Sequence, residues 1–466
     1  HNEMVRTGVI ERDIWIRNTL VDMYVKCGSL TRAYQVFEEL PIRNVVMWTC
    51  LLSGFSDNGR ANDAIDLFDR MQIEGVYPNA VTFVCILKAC GSIRAFSKGN
   101  YIHGEIERLG LLTRSNPSLG GALVDMYMKC GVLIMAHEVL EHLPVRNVVS
   151  WTALLAGYVE HDLGKKALEC FREMQKEGIS PNVATIVCAL RACHSILAID
   201  EGQRIHAYVR KNNSLEGDII VGSALVDMYA KFGLLSEAQE VFDKLLGRDV
   251  ASWTSLLAGY AEHGYVHEAF QCLEQMQVQG ISPNALTLMH CLKVCGNKAS
   301  IGKCRELHLE IERSGMVEKD IRVGLALVDM YGKSGLLGVA KQTLENLVVQ
   351  DVVLWNSLIS NYVKHGQSEE ALVCFEEMQS KGVIPDAVTL TYTLKACATM
   401  SIRAIRKGRE LEAQAKSMDL LDKDMYIAST LVNMYGEHGM LASMQEIFDK
   451  LPIRNVVLWT VCISGY

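Results

Sequence analysis

The residues of this sequence that could support metal or redox chemistry are its histidines, its glutamates and its fifteen cysteines. A His-x-Glu pair occurs at His103-Gly-Glu105 and again at His308-Leu-Glu310. A zinc-dependent deaminase combines such a pair with Pro-Cys-x-x-Cys, which completes the ligands for a zinc-activated water. No proline in the chain is followed by cysteine, and neither a phosphate loop nor a nucleophile elbow is present. We therefore predict that the chain is not an enzyme and that it uses no metal or cofactor.

The cysteines recur at fixed positions rather than in metal-binding pairs. One position follows a basic and a small apolar residue, and it is occupied by Cys90, Cys193, Cys295 and Cys397. A second position holds cysteine in two copies and a different residue in three others, namely Cys27, Cys130, Phe232, Ser334 and His438. A position that accepts these residues is a small packing site rather than half of a disulfide. Free thiols used in this way indicate a reducing compartment.

The charge of the chain gives two opposing indications about a nucleic-acid partner. The formal net charge is −8, which at face value argues against such a partner. In an elongated protein a local stripe matters more, because screening limits charge interactions to about 8–10 Å. One such stripe consists of lysines at one equivalent site in successive periods, namely Lys26, Lys129, Lys231 and Lys333. These lysines belong either to a solvated helix surface or to a row of phosphate contacts.

The elements that would position these residues repeat with a fixed period. Tryptophans recur about once in every hundred residues, at Trp48, Trp151, Trp253, Trp355 and Trp459. Around the second of them, the stretch Val148–Asn182 shows two amphipathic patterns with helical spacing, separated by a break near Asp162. A fixed period predicts an array in which each unit buries its apolar face against its neighbours. No apolar run approaches the roughly 18 residues of a membrane span.

Each period divides into three predicted helical hairpins of different length, which we call short, intermediate and long. The short hairpins cover 14–44, 117–147, 219–249, 321–351 and 425–455. The intermediate hairpins cover 45–79, 148–182, 250–284 and 352–386. The long hairpins, which vary slightly in length, cover 80–116, 183–218, 285–320 and 387–424.

The predicted fold is therefore all-α, a solenoid of thirteen complete helix–turn–helix repeats over residues 14–455. Residues 1–13 resemble the tail of a long hairpin, and residues 456–466 resemble the first helix of an intermediate hairpin. Both ends then fall inside a repeat, which we expect of one piece of a longer array. Glycines between paired helices and Pro-Asn or Pro-Asp at the end of each intermediate hairpin agree with these boundaries.

The alternation of about 31, 35 and 36 residues resembles the pentatricopeptide repeat family, specifically its plant PLS subclass. The elements that carry the resemblance are Val-Val-Ser-Trp-Thr at 148–152, Leu-Val-Asp-Met-Tyr at 123–127 and Ile-His at 102–103. The short, intermediate and long hairpins would then be S, P and L repeats, in S-P-L order. The nearest rival, the tetratricopeptide repeat, has a uniform length and binds peptides. The resemblance implies a right-handed α-solenoid superhelix that binds single-stranded RNA in a mitochondrion or chloroplast.

In that family one repeat reads one RNA base, chiefly through its fifth and last residues. The P repeats of this chain pair Thr49 with Asn79, Thr152 with Asn182, Thr254 with Asn284, and Asn356 with Asp386. The resemblance implies that the first three pairs read adenine and the fourth reads uracil. An Asn amide can donate to adenine N1, whereas an Asp carboxylate only accepts, which suits uracil N3–H or guanine N1–H.

The other repeats give a less uniform set of base-reading pairs. The S repeats imply cytosine for Asn18 with Asn44, guanine for Ser223 with Asp249, and adenine for Ser429 with Asn455. Gly121 with Asn147 and Leu325 with Asp351 match no standard pair. Among the L repeats, Thr391 with Asp424 favours guanine, while Val84, Val187 and Met289 cannot hydrogen-bond a base. With the parallel orientation of the family, the predicted target is 5′-CAnnAnGAnnUGA-3′.

Family members also hold each base between residues at the second position of successive repeats. In the P repeats these base-sandwiching residues are Val46, Val149, Ala251 and Val353. Two S repeats depart from this pattern, with Ser118 and Arg322 at the second position.

Each predicted base-reading residue has an ordinary structural alternative. Asn or Asp before a helix is a common N-cap, and Thr is common in the first turn. The joint change from Thr with Asn to Asn with Asp favours base reading. We predict the specificity module of an organellar cytidine-to-uridine editing factor, with accessory editing factors or a deaminase as further partners and no membrane association. The alternatives are an organellar RNA stability or processing factor without a deaminase, and a protein-interaction scaffold.

Overall fold

The structure, a computed structural model, describes residues 14–39, 43–113, 116–298, 301–400, 404–418, 420, 424–450 and 456–465. The predicted N-terminal partial repeat, residues 1–13, lies outside this part of the chain. The predicted base-reading residue Asn455 also lies outside it, within 451–455. The described residues form helices that are joined by short turns. They divide into two compact units, one ending at Gly247 and the other beginning at Arg248. None of the helices in the described ranges is both long and apolar enough to cross a bilayer.

The first unit is a row of helical hairpins. Its paired helices are Ile14–Lys26 with Leu30–Glu39, Val45–Asp57 with Ala61–Ile73, Ala80–Ser92 with Phe96–Arg108, Pro117–Lys129 with Leu133–His142, Val148–Glu160 with Gly164–Lys176, Val183–Ser195 with Ile199–Lys211, and Ile219–Lys231 with Leu235–Lys244. A short helix, Asn213–Glu216, precedes the last pair. Each first helix packs against its own partner and, from the first hairpin to the sixth, against the first helix of the next hairpin in this unit.

The second unit has the same organisation. Its pairs are Val250–Glu262 with Val266–Val278, Ala285–Lys298 with Ile301–Ser314, Ile321–Lys333 with Leu337–Asn346, Val352–Lys364 with Ser368–Ser380, Ala387–Thr399 with Ile405–Ser417, and Met425–Glu437 with Leu441–Lys450, followed by Val456–Gly465. A short helix, Met316–Lys319, precedes the third pair. The predicted all-α solenoid of helical hairpins is confirmed, whereas its division into thirteen repeats stays a prediction.

The turn inside a hairpin needs a residue in the left-handed region. Gly59, at φ +74°, ends the helix Val45–Asp57. The Gly59 and Arg60 amides donate back to the carbonyls of Ser56 and Phe55 over 3.3 and 2.9 Å. This arrangement satisfies the last carbonyls of the helix, and a glycine adopts it without steric cost.

The core lies between the two helices of each hairpin and between neighbouring hairpins. Trp48, Trp253 and Trp355 are among the largest fully buried side chains. The Trp48 ring meets the Phe37 ring edge-on, with 4.6 Å between their centroids. The periodic tryptophans in the described part of the array are therefore packing residues, except that Trp459 is half exposed.

The cysteines of the first repeated position are also packing residues, whereas the packing interpretation of the second position is wrong for Cys27, which is exposed, and Cys130 is only half-buried. All fifteen cysteines are free thiols, and Cys90, Cys193, Cys295 and Cys397 are buried. Burial raises the pKa of Cys90 and Cys193 to about 12, so both stay protonated at neutral pH. A protonated, buried thiol behaves as a small apolar side chain.

Candidate nucleic-acid interface

The last residue of each P repeat is the N-cap of the next first helix. Asn79, Asn182 and Asn284 precede the helices that begin at Ala80, Val183 and Ala285. The Oδ1 atom of Asn182 accepts the backbone N–H of Thr185 over 2.9 Å, which satisfies one unpaired donor of the helix terminus. The N-cap interpretation is therefore correct for these residues. It is compatible with base reading, because capping uses only the oxygen end of the amide.

A buried threonine connects the fifth and last residues of each of these three P repeats. The Oγ1 atom of Thr185 lies 2.7 Å from Thr152 Oγ1 and donates to Asn182 Oδ1 over 2.8 Å. The same network joins Thr49, Thr82 and Asn79 over 2.7 and 3.0 Å, and joins Thr254, Thr287 and Asn284 over 2.7 and 2.9 Å. The connecting threonines are fully buried, whereas all three asparagines are exposed. In each asparagine the Nδ2 amino group remains for a ligand.

The fourth P repeat has the same geometry with different donors and acceptors. Asn356 Nδ2 donates to Asp386 Oδ1 over 2.9 Å. Thr389 Oγ1 lies 2.6 Å from Asn356 Oδ1 and 2.9 Å from Asp386 Oδ1. Burial opposes ionisation of Asp386, but hydrogen bonds from the Thr389 backbone, from Asn356 and from the Thr389 hydroxyl outweigh it and lower the Asp386 pKa. An ionised Asp386 presents only acceptors, since Oδ1 is already engaged and Oδ2 can accept from a ligand.

The lowered pKa of Asp386 predicts a pH-dependent contribution to stability. A carboxyl whose folded pKa lies below its ordinary value of 3.8 stabilises the fold fully above that value. The contribution is lost as the pH falls through the folded pKa. We expect the melting-temperature difference between wild type and Asp386→Asn to stay constant from neutral pH down to about 3.8 and to shrink below it. A difference that disappears well above pH 3.8 would contradict the bonding described for Asp386.

The S and L repeats bring together fewer of the predicted pairs. Asn44 Nδ2 donates to Asn18 Oδ1 over 3.2 Å, so this pair is joined directly. Thr391 and Asp424, both in the described ranges, are not bonded to each other. Thr391 donates to the Ala387 carbonyl of its own helix, and Asp424 caps the next first helix, Met425–Glu437, by accepting from the Tyr426 amide.

Two further S-repeat pairs can be described only one residue at a time. Ser223 belongs to the first unit and bonds to the Ile219 carbonyl over 2.8 Å. Asp249 belongs to the second unit and caps Val250–Glu262. Ser429 bonds to the Tyr426 carbonyl over 2.9 Å, and its predicted partner Asn455 lies outside the described residues.

The second residue of the first helices forms an exposed apolar series. The predicted base-sandwiching residues Val46, Val149, Ala251 and Val353 are all exposed. Sequence reasoning missed the equivalent exposed apolar residues of the S and L repeats, which are Trp15, Val81, Ala184, Ile220, Leu286, Val388 and Tyr426. The signal was present in the sequence, because these residues occupy the second position of each repeat. Exposed apolar side chains at one repeated register are typical of a binding surface.

A cavity of about 450 Å³ brings these features together in the first unit. Its lining includes Val46 and Val81 from successive second positions, Thr49 and Asn79 from the fifth and last positions, and Lys26 from the lysine stripe. Two apolar side chains, a hydroxyl, an amide and an ammonium group therefore line one space, together with the carboxylates of Asp22 and Asp57, which form ion pairs with Lys26 and Lys88. This arrangement suits a planar heterocycle with polar edges that is attached to an anionic backbone.

The lysine stripe carries less net positive charge than its sequence pattern suggests. Each lysine forms an ion pair with the aspartate four residues before it on the same helix, over 2.6 to 2.9 Å. The pairs are Asp22 with Lys26, Asp125 with Lys129, Asp227 with Lys231, and Asp329 with Lys333. Such exposed or partly exposed pairs contribute little to stability, because water and salt screen them. A phosphate could therefore compete for the lysine at small cost, and phosphate contact by these lysines stays a prediction.

The histidines of the two His-x-Glu pairs each contact a tyrosine in the first helix of the next hairpin. His103 Nδ1 lies 2.9 Å from the Tyr127 hydroxyl, and His308 Nδ1 lies 2.9 Å from the Tyr331 hydroxyl. Burial lowers the pKa of both histidines. Glu105 forms an ion pair with Arg108. Over the ranges that the structure describes, no three His, Cys, Asp or Glu side chains are grouped so that they could hold a metal ion.

Comparisons with known proteins match this geometry to a repeat family. The model of the PPR repeat family matches residues 43–92, 146–195, 248–297 and 350–399, and the PPR repeat model matches 16–45 and 223–250. Pentatricopeptide repeat-containing protein At4g39530 of Arabidopsis thaliana is 33% identical over 99% of this chain and 55% of its own length. The chloroplastic protein At4g18520 of the same plant is 32% identical over 97% of this chain and 72% of its own length. The chain thus spans between about half and three quarters of these relatives.

A solved structure shares the fold. The pentatricopeptide repeat protein PPR10, crystallised with an 18-nucleotide psaJ RNA element, superposes with a TM-score of 0.60. The match has 18% sequence identity and covers 97% of this chain and 76% of PPR10. A further crystal structure of PPR10, from maize, gives a TM-score of 0.53 at 17% identity over the same share of both chains.

Proposed function

Because the chain belongs to the pentatricopeptide repeat family, we propose that it binds single-stranded RNA and reads one base with each P repeat. The observation that carries the proposal is the cavity lined by Val46, Val81, Thr49, Asn79 and Lys26. It offers contacts to the faces of a base, to its edge and to its phosphate. These five residues occupy repeated positions, so their arrangement can recur along the array.

The donors and acceptors of the P repeats support a choice between bases. In Asn79, Asn182 and Asn284 the oxygen is engaged in capping, so each presents an amino group. An amino group donates to N1 of adenine and is opposed by the N1–H of guanine. Asp386 presents a carboxylate oxygen instead, which accepts from N3–H of uracil. The proposed target therefore keeps adenine at nucleotides 2, 5 and 8 and uracil at nucleotide 11 of 5′-CAnnAnGAnnUGA-3′.

We further propose that the chain is the RNA-specificity segment of a PLS-type organellar editing factor. The alternation of short, intermediate and long hairpins supports the PLS assignment. Several relatives are named chloroplastic or mitochondrial, which supports an organellar location. In this proposal the chain binds RNA without catalysing a reaction, and a deaminase acts at the positioned cytidine. An RNA stability or processing factor would use the same binding surface.

Equilibrium binding to synthetic RNA tests this proposal. The chain is titrated against the thirteen-nucleotide target and against a scrambled RNA of the same composition, with electrophoretic shift or fluorescence anisotropy as the readout. We expect the target to bind at least about 10-fold more tightly, since each mismatched base costs about 1–3 kcal/mol in nucleic-acid recognition. Equal binding of the two RNAs, or no binding, would favour a protein-interaction scaffold.

The lysine stripe predicts how RNA binding depends on salt. Each phosphate contact on a single strand contributes about 0.7 to the slope of log affinity against log salt concentration. We expect Lys129→Ala to lower the affinity for target and scrambled RNA alike and to reduce the slope by about 0.7. Lys244→Ala is the matched control, because Lys244 also pairs with an acidic residue on its own helix but lies on a second helix. Equal effects of the two substitutions on affinity and salt slope would show that Lys129 makes no specific contact with RNA phosphate.

A further inference from the structure

We infer that the buried threonine at the third position of each L repeat is a positioning residue, which orients the base-reading pair of the preceding P repeat and so strengthens its base preference. The inference rests on the proposed RNA-binding function and adds a specificity residue that does not itself touch RNA. The four residues are Thr82, Thr185, Thr287 and Thr389. Each has no exposed surface, and each contacts both the fifth and the last residue of the preceding P repeat.

The contacts of Thr185 determine where its proton goes. Its hydroxyl oxygen lies 3.3 Å from the Asn182 backbone nitrogen, 2.8 Å from Asn182 Oδ1 and 2.7 Å from Thr152 Oγ1. A hydroxyl has one proton and two lone pairs. The backbone N–H can only donate and the amide oxygen can only accept. The Thr185 proton therefore goes to Asn182 Oδ1, and Thr152 donates its own proton to Thr185.

This proton arrangement fixes what the pair offers to a base. Asn182 Oδ1 accepts from both the backbone N–H and the hydroxyl of Thr185. A flipped Asn182 amide would place its amino group against these two donors. The unflipped orientation is therefore favoured, and the amino group points away from Thr185 and is available to a base. Because Thr152 donates its only hydroxyl proton to Thr185, its oxygen can only accept a hydrogen bond from a base. An amino donor beside a hydroxyl acceptor matches N1 and the N6 amino group of adenine and opposes the Watson–Crick edge of guanine.

Three junctions between S and P repeats, those after Asn44, Asn147 and Asp351, lack this connection in the described residues. Ser150 is fully buried and caps with Asn147, but its hydroxyl donates to the Asn147 backbone carbonyl rather than to its side chain. The Asn147 amino group is itself used by the Pro117 carbonyl over 3.2 Å. The equivalent residues after Asn44 and Asp351 are Met47 and Leu354, which have no hydroxyl. The threonine connection thus distinguishes the four P repeats, which carry the clearest base-reading pairs, from these three S repeats.

In the fourth P repeat the equivalent threonine, Thr389, contacts a different pair of residues. Thr389 contacts Asn356 Oδ1 and Asp386 Oδ1, and Asn356 in turn donates to Asp386. Here the last residue presents an acceptor rather than a donor. The threonine therefore orients whichever pair the repeat carries, and the pair itself selects the base.

Removing the Thr185 hydroxyl in the full chain tests the inference. Thr185→Val keeps the side-chain shape and the capping backbone N–H but removes the link to Thr152 and the second bond to Asn182. The measured quantity is the ratio of dissociation constants for target RNAs with guanine or adenine at nucleotide 5. We expect the substitution to reduce this ratio by about 3- to 10-fold, the worth of one hydrogen bond, and to leave the ratios at nucleotides 2 and 8 unchanged. Thr185→Ser, which restores the hydroxyl, should restore the ratio.

Matched variants separate a positioning role from a general loss of stability. Ser150→Ala removes a hydroxyl from a comparable buried cap that does not contact a fifth residue, so it should leave the ratio at nucleotide 5 unchanged. Thr287→Val should repeat the effect at nucleotide 8, independently of how Thr185→Val folds. An unchanged ratio in both valine variants, or an equal loss at all three nucleotides, would overturn the inference. If the wild-type chain does not distinguish target from scrambled RNA, the proposed function fails instead.

Discussion

Asn182→Asp is expected to change the preferred base at nucleotide 5 from adenine to guanine. The carboxylate loses the donor that meets adenine N1 and gains an acceptor for guanine N1–H. A well-matched base contact discriminates by about 1–3 kcal/mol, so we expect the guanine-to-adenine affinity ratio to rise by roughly 10- to 100-fold. The fold should be unaffected, because Asp is as good an N-cap as Asn and Asp386 already caps a helix in this way. The measurement is equilibrium binding to four RNAs that differ only at nucleotide 5.

The control for this substitution is Asn147→Asp. Asn147 caps its helix in the same way, but the fifth residue of its repeat is Gly121, which has no side chain to complete a pair. We expect this variant to keep the wild-type preference at nucleotide 5. If Asn182→Asp keeps the adenine preference while melting like wild type, Asn182 does not read this base.

Trp48→Ala is expected to cost about 3–5 kcal/mol, the usual range for removing a large buried aromatic side chain. Trp48 is fully buried and packs edge-on against Phe37 of the preceding hairpin. In a solenoid each hairpin is stabilised by its neighbours, so the loss should appear as local opening rather than as a single shift of the whole array. Hydrogen exchange should increase in Val45–Asp57 and much less in Val148–Glu160. Because Thr49 follows Trp48 directly, discrimination at nucleotide 2 should fall while that at nucleotide 8 persists.

Trp459→Ala provides the comparison at the same repeat position. Trp459 also packs edge-on against a phenylalanine, Phe448, but half of its surface is exposed. Since the cost scales with the apolar area removed from water, we expect no more than about half of the Trp48 effect. Equal costs for the two substitutions would contradict the assignment of Trp48 to the core of its hairpins.

Much of the fold could be predicted from the sequence, because periodic packing imposes a periodic pattern. The tryptophans, the cysteines after a basic and a small residue, and the glycines between helices each meet the same surroundings in every copy. Their recurrence therefore indicated helical hairpins and buried thiols. The Asp–Lys pairs of the S repeats were not anticipated, although Asp22 and Lys26 have the spacing of facing residues on a helix. When only the lysines are counted, the positive charge of the stripe is overestimated, because each lysine is paired with an aspartate.

The predicted site was incomplete for a different reason. The fifth and last residues are thirty residues apart in the sequence, and the threonine that connects them belongs to the next repeat. Reading each repeat as a separate unit concealed Thr185, as it concealed Val81 beside Val46. For Asn182 the N-cap role is confirmed and does not exclude base reading, which stays a prediction. One end of its amide caps a helix, and the same bond directs the other end outward.

The most direct test of the account is the structure of the chain bound to the thirteen-nucleotide target. The account predicts that the adenine of nucleotide 2 lies between Val46 and Val81, with its N1 accepting from Asn79 Nδ2. Its phosphate should lie near Lys26. If the RNA instead follows the second helices, such as Ala61–Ile73, or if the base at nucleotide 2 makes no contact with Asn79, base reading by these pairs is contradicted.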